Sequence, residues 1–149
     1  PDVLLLDEPT ADLDPISRER LWQLIKTLRT NGMTIVLCSH LLEEIEPVCD
    51  RICILHDKKI VDIGRPDAIK DAQGVHYVVR LELQSGNYSA FTAAHGAQFK
   101  QEGQILVAGF TDGLQTSQFV SQILSQGDPV LHLSITPPSL KYTFEQKIA

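Results

Sequence analysis

The stretch Val3-Leu4-Leu5-Leu6-Asp7-Glu8-Pro9-Thr10-Ala11-Asp12-Leu13-Asp14-Pro15 decides the fold class of this 149-residue chain. Val3 to Leu6 is an unbroken apolar run without alternation, the pattern of a strand buried on both faces of a parallel sheet. Charge inside such a strand is costly unless it is paired or bound to a metal. Asp7 and Glu8 therefore belong at the carboxyl end of the strand, where open α/β sheets bind ligands. Of two adjacent carboxylates at that position, one can hold Mg2+ and the other can address a water.

Working outward, Asp14-Pro15 opens a helix, with Asp14 as N-cap and Pro15 at the first helical position. Leu21, Leu24, Ile25 and Leu28 recur at helical spacing, and Asn31-Gly32 ends the helix. A second unbroken apolar run, Thr34 to Cys38, finishes in Ser39-His40. Two buried strands joined by one helix thus both deliver polar side chains at their carboxyl ends, as an α/β sheet does.

With these residues on the page, the chain resembles the ATP-binding subunits of ABC transporters, which are P-loop NTPases. Val3 to Pro15 resembles their Walker B strand followed by the D-loop, here Ala11-Asp12-Leu13-Asp14. Ser39-His40 resembles their switch histidine, in the right order and at the right separation. The match from Val3 to His40 covers about a quarter of the chain and is highly specific. Neither G-x-x-x-x-G-K-[ST], whose backbone amides cradle phosphates, nor the family's signature Leu-Ser-Gly-Gly-Gln occurs here. Leu83-Gln84-Ser85-Gly86-Asn87 imitates the signature slightly but lies downstream of Walker B, and reads as a turn after a strand. Together with the start at Pro1, one residue before a core strand, this leads to the expectation of the carboxyl-terminal part of a longer protein.

Bulk properties narrow the class. The formal charge is -6, from 13 basic and 19 acidic residues, without a basic tract. That balance argues against nucleic acid as main partner. No apolar stretch approaches the ~20 residues of a membrane span, so the chain itself is expected to be soluble. Cys38, Cys49 and Cys53 form an odd set, two of them in apolar strand-like segments, which suits reduced, buried thiols in a cytosol. Their spacing gives little support to a metal site.

Beyond His40, Leu41 to Val48 reads as a short acidic helix with Glu43, Glu44 and Glu46 exposed. Arg51 to Leu55 and Lys59 to Gly64 read as strands joined by a turn at Asp57-Lys58, and Pro66 starts a short helix ending near Asp71. The same order closes the nucleotide-binding domain in the family that the chain resembles. Gln73-Gly74 is the expected boundary, giving 1–73 as the carboxyl-terminal part of that domain and 75–149 as an accessory domain. Past the boundary the pattern turns to alternation. Tyr77, Val79, Leu81 and Leu83 share one strand face, and Gln98 to Lys100 with Ile105 to Phe110 suggest a hairpin turning at Glu102-Gly103. Ser89 to His95 reads as a short helix. Phe119, Val120, Ile123 and Leu124 form a helical face ended by Gly127. Leu131, Leu133 and Ile135 alternate, and Leu140, Phe144 and Ile148 lie on a last helix. The order suggests a small α+β ferredoxin-like domain. The end, Pro138-Ser139-Leu140-Lys141-Tyr142-Thr143-Phe144, resembles the Pro-Ser-Leu-Glu-Asp-Val-Phe that closes an extra domain in ATPase subunits of drug and antibiotic exporters. Tyr142 stands where that family's capping carboxylate would be.

The resemblance implies roles residue by residue. Asp7 would hold Mg2+ through water, Glu8 would act as general base, and His40 would contact the γ-phosphate of ATP and align the water. Asp14 would be both helix cap and D-loop contact across an ATPase dimer. Each has a plainer reading: a strand-end turn residue for Asp7, a surface glutamate for Glu8, a structural histidine for His40, and the cap alone for Asp14. His56, His76, His95 and His132 are scattered surface or strand residues, and Trp22 is a packing residue. The function implied is ATP hydrolysis by an exporter's ATPase subunit, lying on the cytoplasmic face of the membrane and partnered by a permease and a second ATPase subunit. The alternatives are a non-transport ABC ATPase of translation or DNA-repair type, and a catalytically incomplete fragment. Without phosphate loop and signature, residues 1–149 alone are expected to be inactive.

Overall fold

The computed structural model describes residues 2–92 and 98–148. The chain divides into two compact units, Pro1–Ile52 and Cys53–Ala149.

The first unit is a β-α-β-α segment: β1 (Val3–Asp7), α1 (Pro15–Thr30), β2 (Thr34–Cys38) and α2 (Leu42–Ile45). β1 and β2 pair in parallel, with Val3 opposite Thr34 and Asp7 opposite Cys38. The α1 crossover supplies the connection that parallel strands require. Asp14 caps α1 and Pro15 occupies its first turn; the Asn31 amide closes the other end on the Thr27 carbonyl at 3.1 Å. Gly32 follows at φ +86°, a conformation that a side chain would strain.

Trp22, Ile25, Ile45 and Val48 form the core of this unit, packed on half-buried Leu6, Ile35 and Leu37. Here the expectation of strands buried on both faces is corrected. Leu5 is 73% exposed, and Val3 and Val36 are each 52% exposed. The reason is that α1 and α2 cover one side of this two-stranded sheet, so alternate residues point away from the core. The same alternation leaves Cys38 exposed, against the expectation of buried thiols; Cys53 is exposed as well, and only Cys49 is half-buried. Trp22 packs as expected, whereas Leu24 turns outward at 53% exposure.

β3 (Ile52–His56) leads into the second unit and pairs with β4 (Lys59–Gly64). Both turn residues, Asp57 and Lys58, take positive φ, 47° and 63°, the signature of a two-residue hairpin turn matched to strand twist. α3 (Pro66–Asp71) follows, then β5 (Tyr77–Leu83), α4 (Ser89–Thr92), β6 (Gln98–Glu102), β7 (Ile105–Phe110), α5 (Gly113–Ser125), β8 (Val130–Thr136) and α6 (Leu140–Ile148). β5 to β8 form a sheet of order β6-β7-β5-β8, in which every neighbouring pair is antiparallel. α4 is the described part of the helix expected over Ser89 to His95; Ala93 to His95 lie outside the described residues.

β5 is buried on both sides, which its alternation did not suggest. Val79, Leu81 and Leu83 face a cluster with Phe91, Phe110, Phe119 and Ile123, while Val78 joins Val75, Val107 and Tyr142. Phe119 is the hub of the first cluster, with ring centroids 5.1 to 5.8 Å from Phe91, Phe99 and Phe110. Val120 is half-buried and Leu124 is 66% exposed; Thr116 completes the buried stripe of α5 instead. The second cluster includes a residue of α6, and this helix also reaches the elements before Gly74. The Gln73 side-chain amide donates to the Thr143 carbonyl at 3.0 Å, Lys147 pairs with Asp62, and His56 meets Phe144 edge-on at 5.9 Å. The β3–β4 hairpin and α3 thus group with the tail in the second compact unit, although the change of patterning at Gln73-Gly74 placed a boundary after them.

Candidate functional site

The parallel register of β1 and β2 brings their carboxyl ends side by side. Asp7 ends β1 as an exposed carboxylate opposite Cys38. Glu8 follows in the left-handed region at φ 43°, a conformation that costs a non-glycine residue about 1–3 kcal/mol. Two backbone bonds hold it there: its amide donates to the Cys38 carbonyl at 2.9 Å, and its carbonyl accepts from the Ala11 amide at 3.0 Å. The turn swings the Glu8 carboxylate across to the end of β2. There Oε1 accepts the His40 backbone amide at 3.1 Å and meets His40 Nδ1 at 2.9 Å.

These contacts assign the chemistry of the pair. An ionised carboxylate only accepts, so Nδ1 carries a proton and Nε2 remains for another partner. The His40 hydrogen bond holds the Glu8 carboxyl below its ordinary value, with partial burial opposing the shift. Glu8 Oε2 is shielded and makes no close hydrogen bond, while the nearby Ser39 side chain adds to the lowering of the Glu8 carboxyl. The His40 ring itself is 75% exposed. A carboxylate with one oxygen committed to an imidazole and the other without a close hydrogen bond suits a base that receives a proton from water.

Asp14 is fully engaged in capping. Its Oδ1 accepts the Ile16 and Ser17 amides at 2.9 and 3.1 Å, and its Oδ2 accepts the Ser17 hydroxyl at 2.5 Å. The Ser17 hydroxyl and these amides hold its carboxyl below the ordinary range. Asp12 takes φ 60°, so the segment between Glu8 and Asp14 contains a second left-handed residue. The geometry therefore brings Glu8 and His40 together, places Asp7 one residue away on the strand end, and gives Asp14 a structural task.

Arg18 and Glu44 escaped the sequence reading. Arg18 Nη1 donates to Glu44 Oε1 at 2.8 Å, while Nη2 donates to the Leu13 carbonyl at 3.2 Å. Glu44, expected on an exposed acidic face, is half-buried by this pairing. The available signal was a cation one turn into α1 and an acid just past His40, but spacing alone does not show that α1 and α2 meet. The Leu83 to Asn87 segment behaves as a turn, with Gly86 at φ +65° and its amide on the Leu83 carbonyl. Among the described residues no group of three or more His, Cys, Asp or Glu side chains is placed to hold a metal. The donor set fits Mg2+ only as one exposed carboxylate, Asp7, acting through water.

No protein-family model matches the chain. It is 34% identical over 148 residues to the Nod factor export ATP-binding protein I of Sinorhizobium fredii, covering 97% of this chain and 41% of that protein. The protein of the same name from Rhizobium meliloti is 32% identical over 147 residues, covering 97% of this chain and 42% of the relative. The chain thus spans about two fifths of the length of these relatives. A solved structure described as an ATP binding subunit of an ABC transporter overlaps 50% of this chain and 31% of its own, with 31% identity and a TM-score of 0.47, too partial an overlap to bear on the fold. Nearly the whole of this chain is therefore a relative of ATP-binding export proteins, and its kinship with the ATP-binding subunits of ABC transporters holds.

Proposed function

We propose that this chain is part of the ATP-hydrolysing subunit of an ABC exporter, and that the Glu8–His40 pair is its hydrolytic centre. The contact between the two side chains at the carboxyl ends of parallel strands carries this reading. Bound ATP would supply the γ-phosphate as electrophile, and Mg2+ would neutralise its charge. Asp7 would hold the metal through water. Glu8 takes a proton from the attacking water at Oε2 while Oε1 stays on His40. Protonated at both ring nitrogens, His40 would donate Nδ1–H to Glu8 and Nε2–H to an anionic phosphate oxygen, and so orient the water between base and phosphate. Asp14, beyond its cap, would contact a second ATPase subunit through the D-loop.

The names of the relatives support export as the process. A membrane permease subunit would then be the partner that hydrolysis drives, with the ATPase lying on the cytoplasmic face. No helix among the described residues is long and apolar enough to cross a membrane. For the tail we propose a ferredoxin-like accessory domain over 75–149, following a nucleotide-binding portion over 1–73. The β6-β7-β5-β8 order and the antiparallel pairing support that assignment.

The deciding experiment uses the complete protein. Glu8→Gln should retain Mg-ATP binding and lose steady-state turnover, because the amide keeps the shape but cannot take the proton; the expected loss is about 10²-fold or more. Turnover near wild type would remove Glu8 from the role of base. Residues 1–149 alone contain no phosphate loop, so calorimetry on them should register negligible Mg-ATP affinity.

A further inference from the structure

The segment leaving β1 and the segment leaving β2 are tied together twice. One tie is Glu8 to His40, at the proposed centre. The other is Arg18, which reaches the Leu13 carbonyl with one guanidinium nitrogen and Glu44 with another. Leu13 belongs to the turn that Glu8 begins, since Ala11 bonds back to Glu8 and Leu13 bonds back to Thr10. Glu44 belongs to the turn that His40 begins: Leu42 bonds to the His40 carbonyl at 3.2 Å, and Glu44 bonds to the Leu41 carbonyl at 3.0 Å. Ser39 Oγ accepts the Leu41 amide at 3.1 Å and fixes the corner between strand and helix. The backbone around His40 is thus held by Ser39 before it and, through Glu44, by Arg18 after it.

The Arg18–Glu44 pair is only partly exposed, at 35% and 21% of the two side chains. Arg18 Nε and Glu44 Oε2 are buried without further partners. Loss of either side chain would leave its partner shielded and uncompensated. Only a planar guanidinium reaches two acceptors in fixed geometry, so lysine is not an equivalent at this position.

We infer that Arg18, through Glu44 and the Leu13 carbonyl, is a positioning residue that holds the His40 segment in register with Glu8. The inference rests on the hydrolytic reading of Glu8 and His40. It assigns Arg18 no contact with the reacting atoms. Its influence passes through the placement of the imidazole, and displacement of a catalytic group by about 1 Å can cost up to 10²-fold in rate.

The experiment is a double-mutant cycle in the complete protein, with thermal midpoints recorded for each variant. Arg18→Ala should lower kcat for ATP hydrolysis about ten- to hundredfold and leave KM for ATP within about twofold, because neither Arg18 nor Glu44 is assigned a contact with the nucleotide. In a His40→Ala background the same substitution should cost almost nothing more, since the group that Arg18 places is gone. Glu44→Gln, which keeps an acceptor and the side-chain shape, should reproduce a smaller part of the kcat loss and gives the same reading should Arg18→Ala fail to fold. An unchanged kcat in both Arg18→Ala and Glu44→Gln would overturn the inference. So would losses that add in full to that of His40→Ala. Unchanged turnover in His40→Ala alone would instead overturn the hydrolytic reading, and the inference with it.

Discussion

At the scale of single residues, the chain accepts strain and unmatched polarity where side chains must approach closely. Glu8 takes a left-handed backbone so that its carboxylate crosses from β1 to His40. Tyr142 is buried on α6 with a hydroxyl that finds no partner, and burial pushes its phenol up. It fits because Gly109 on β7 has no side chain. A Cβ there would fall inside contact distance of the Tyr142 hydroxyl, 3.2 Å from its Cζ and 3.3 Å from Val75 Cγ1. Gly109→Ala should therefore destabilise the chain by about 1–3 kcal/mol, as overpacking does. Tyr142→Phe should be neutral or stabilising, because it removes an unsatisfied hydroxyl. The two changes lie in contact and should not add: in the Tyr142→Phe background Gly109→Ala should cost less. Chemical denaturation of the four proteins reads this directly, and equal costs in both backgrounds would contradict the packing argument.

At the scale of elements, caps and ion pairs define where helices start and what they reach. Ser139 still caps α6, its hydroxyl accepting the Tyr142 amide at 3.2 Å, although no carboxylate stands at position 142. Tyr142 turns inward instead and supplies packing. The far end of α6 is tied to β4 through Lys147 and Asp62. The Lys147 ammonium holds the Asp62 carboxyl below its ordinary value of 3.8, with burial acting in opposition. A carboxyl depressed in the folded state contributes stability above its ordinary value and loses it as the pH falls through the folded value. The midpoint difference between wild type and Asp62→Asn should thus be present at pH 7 and close as the solution is acidified below the ordinary carboxylate range. A difference that persists in full at the lowest pH would assign the effect of Asp62 to something other than its charge.

At the scale of the whole molecule, the division of the chain is the property open to a direct test. If 1–73 and 75–149 are the two domains proposed, limited proteolysis of the complete protein should nick near Gln73-Gly74 before it cuts inside the β5–β8 sheet. A first cut at Ile52-Cys53 would follow the compact units instead, and would make the β3–β4 hairpin and α3 lasting parts of the tail. Contacts from α6 to Gln73 and Asp62 are the features that favour such a grouping.

The sequence alone was enough to read the β-α-β order of the first unit, the Asp14 cap, the hairpin at Asp57-Lys58 and the places of Asp7, Glu8 and His40 at strand ends. Those features are local: turn chemistry, helix caps and unbroken apolar runs act over a few residues, and the motifs that carry the kinship lie in the same short windows. Tertiary structure decided the rest. Whether Leu5 and Val36 are buried depends on what covers the second face of a two-stranded sheet, and an apolar run is the same in either case. The burial of both faces of β5 required α5 on one cluster and a residue of α6 in the other, neither of which alternation records. The Arg18–Glu44 tie joins residues 26 positions apart. It exists because α1 and α2 pack against the same strands, and only folding gives two distant charges a common, partly dry place to meet.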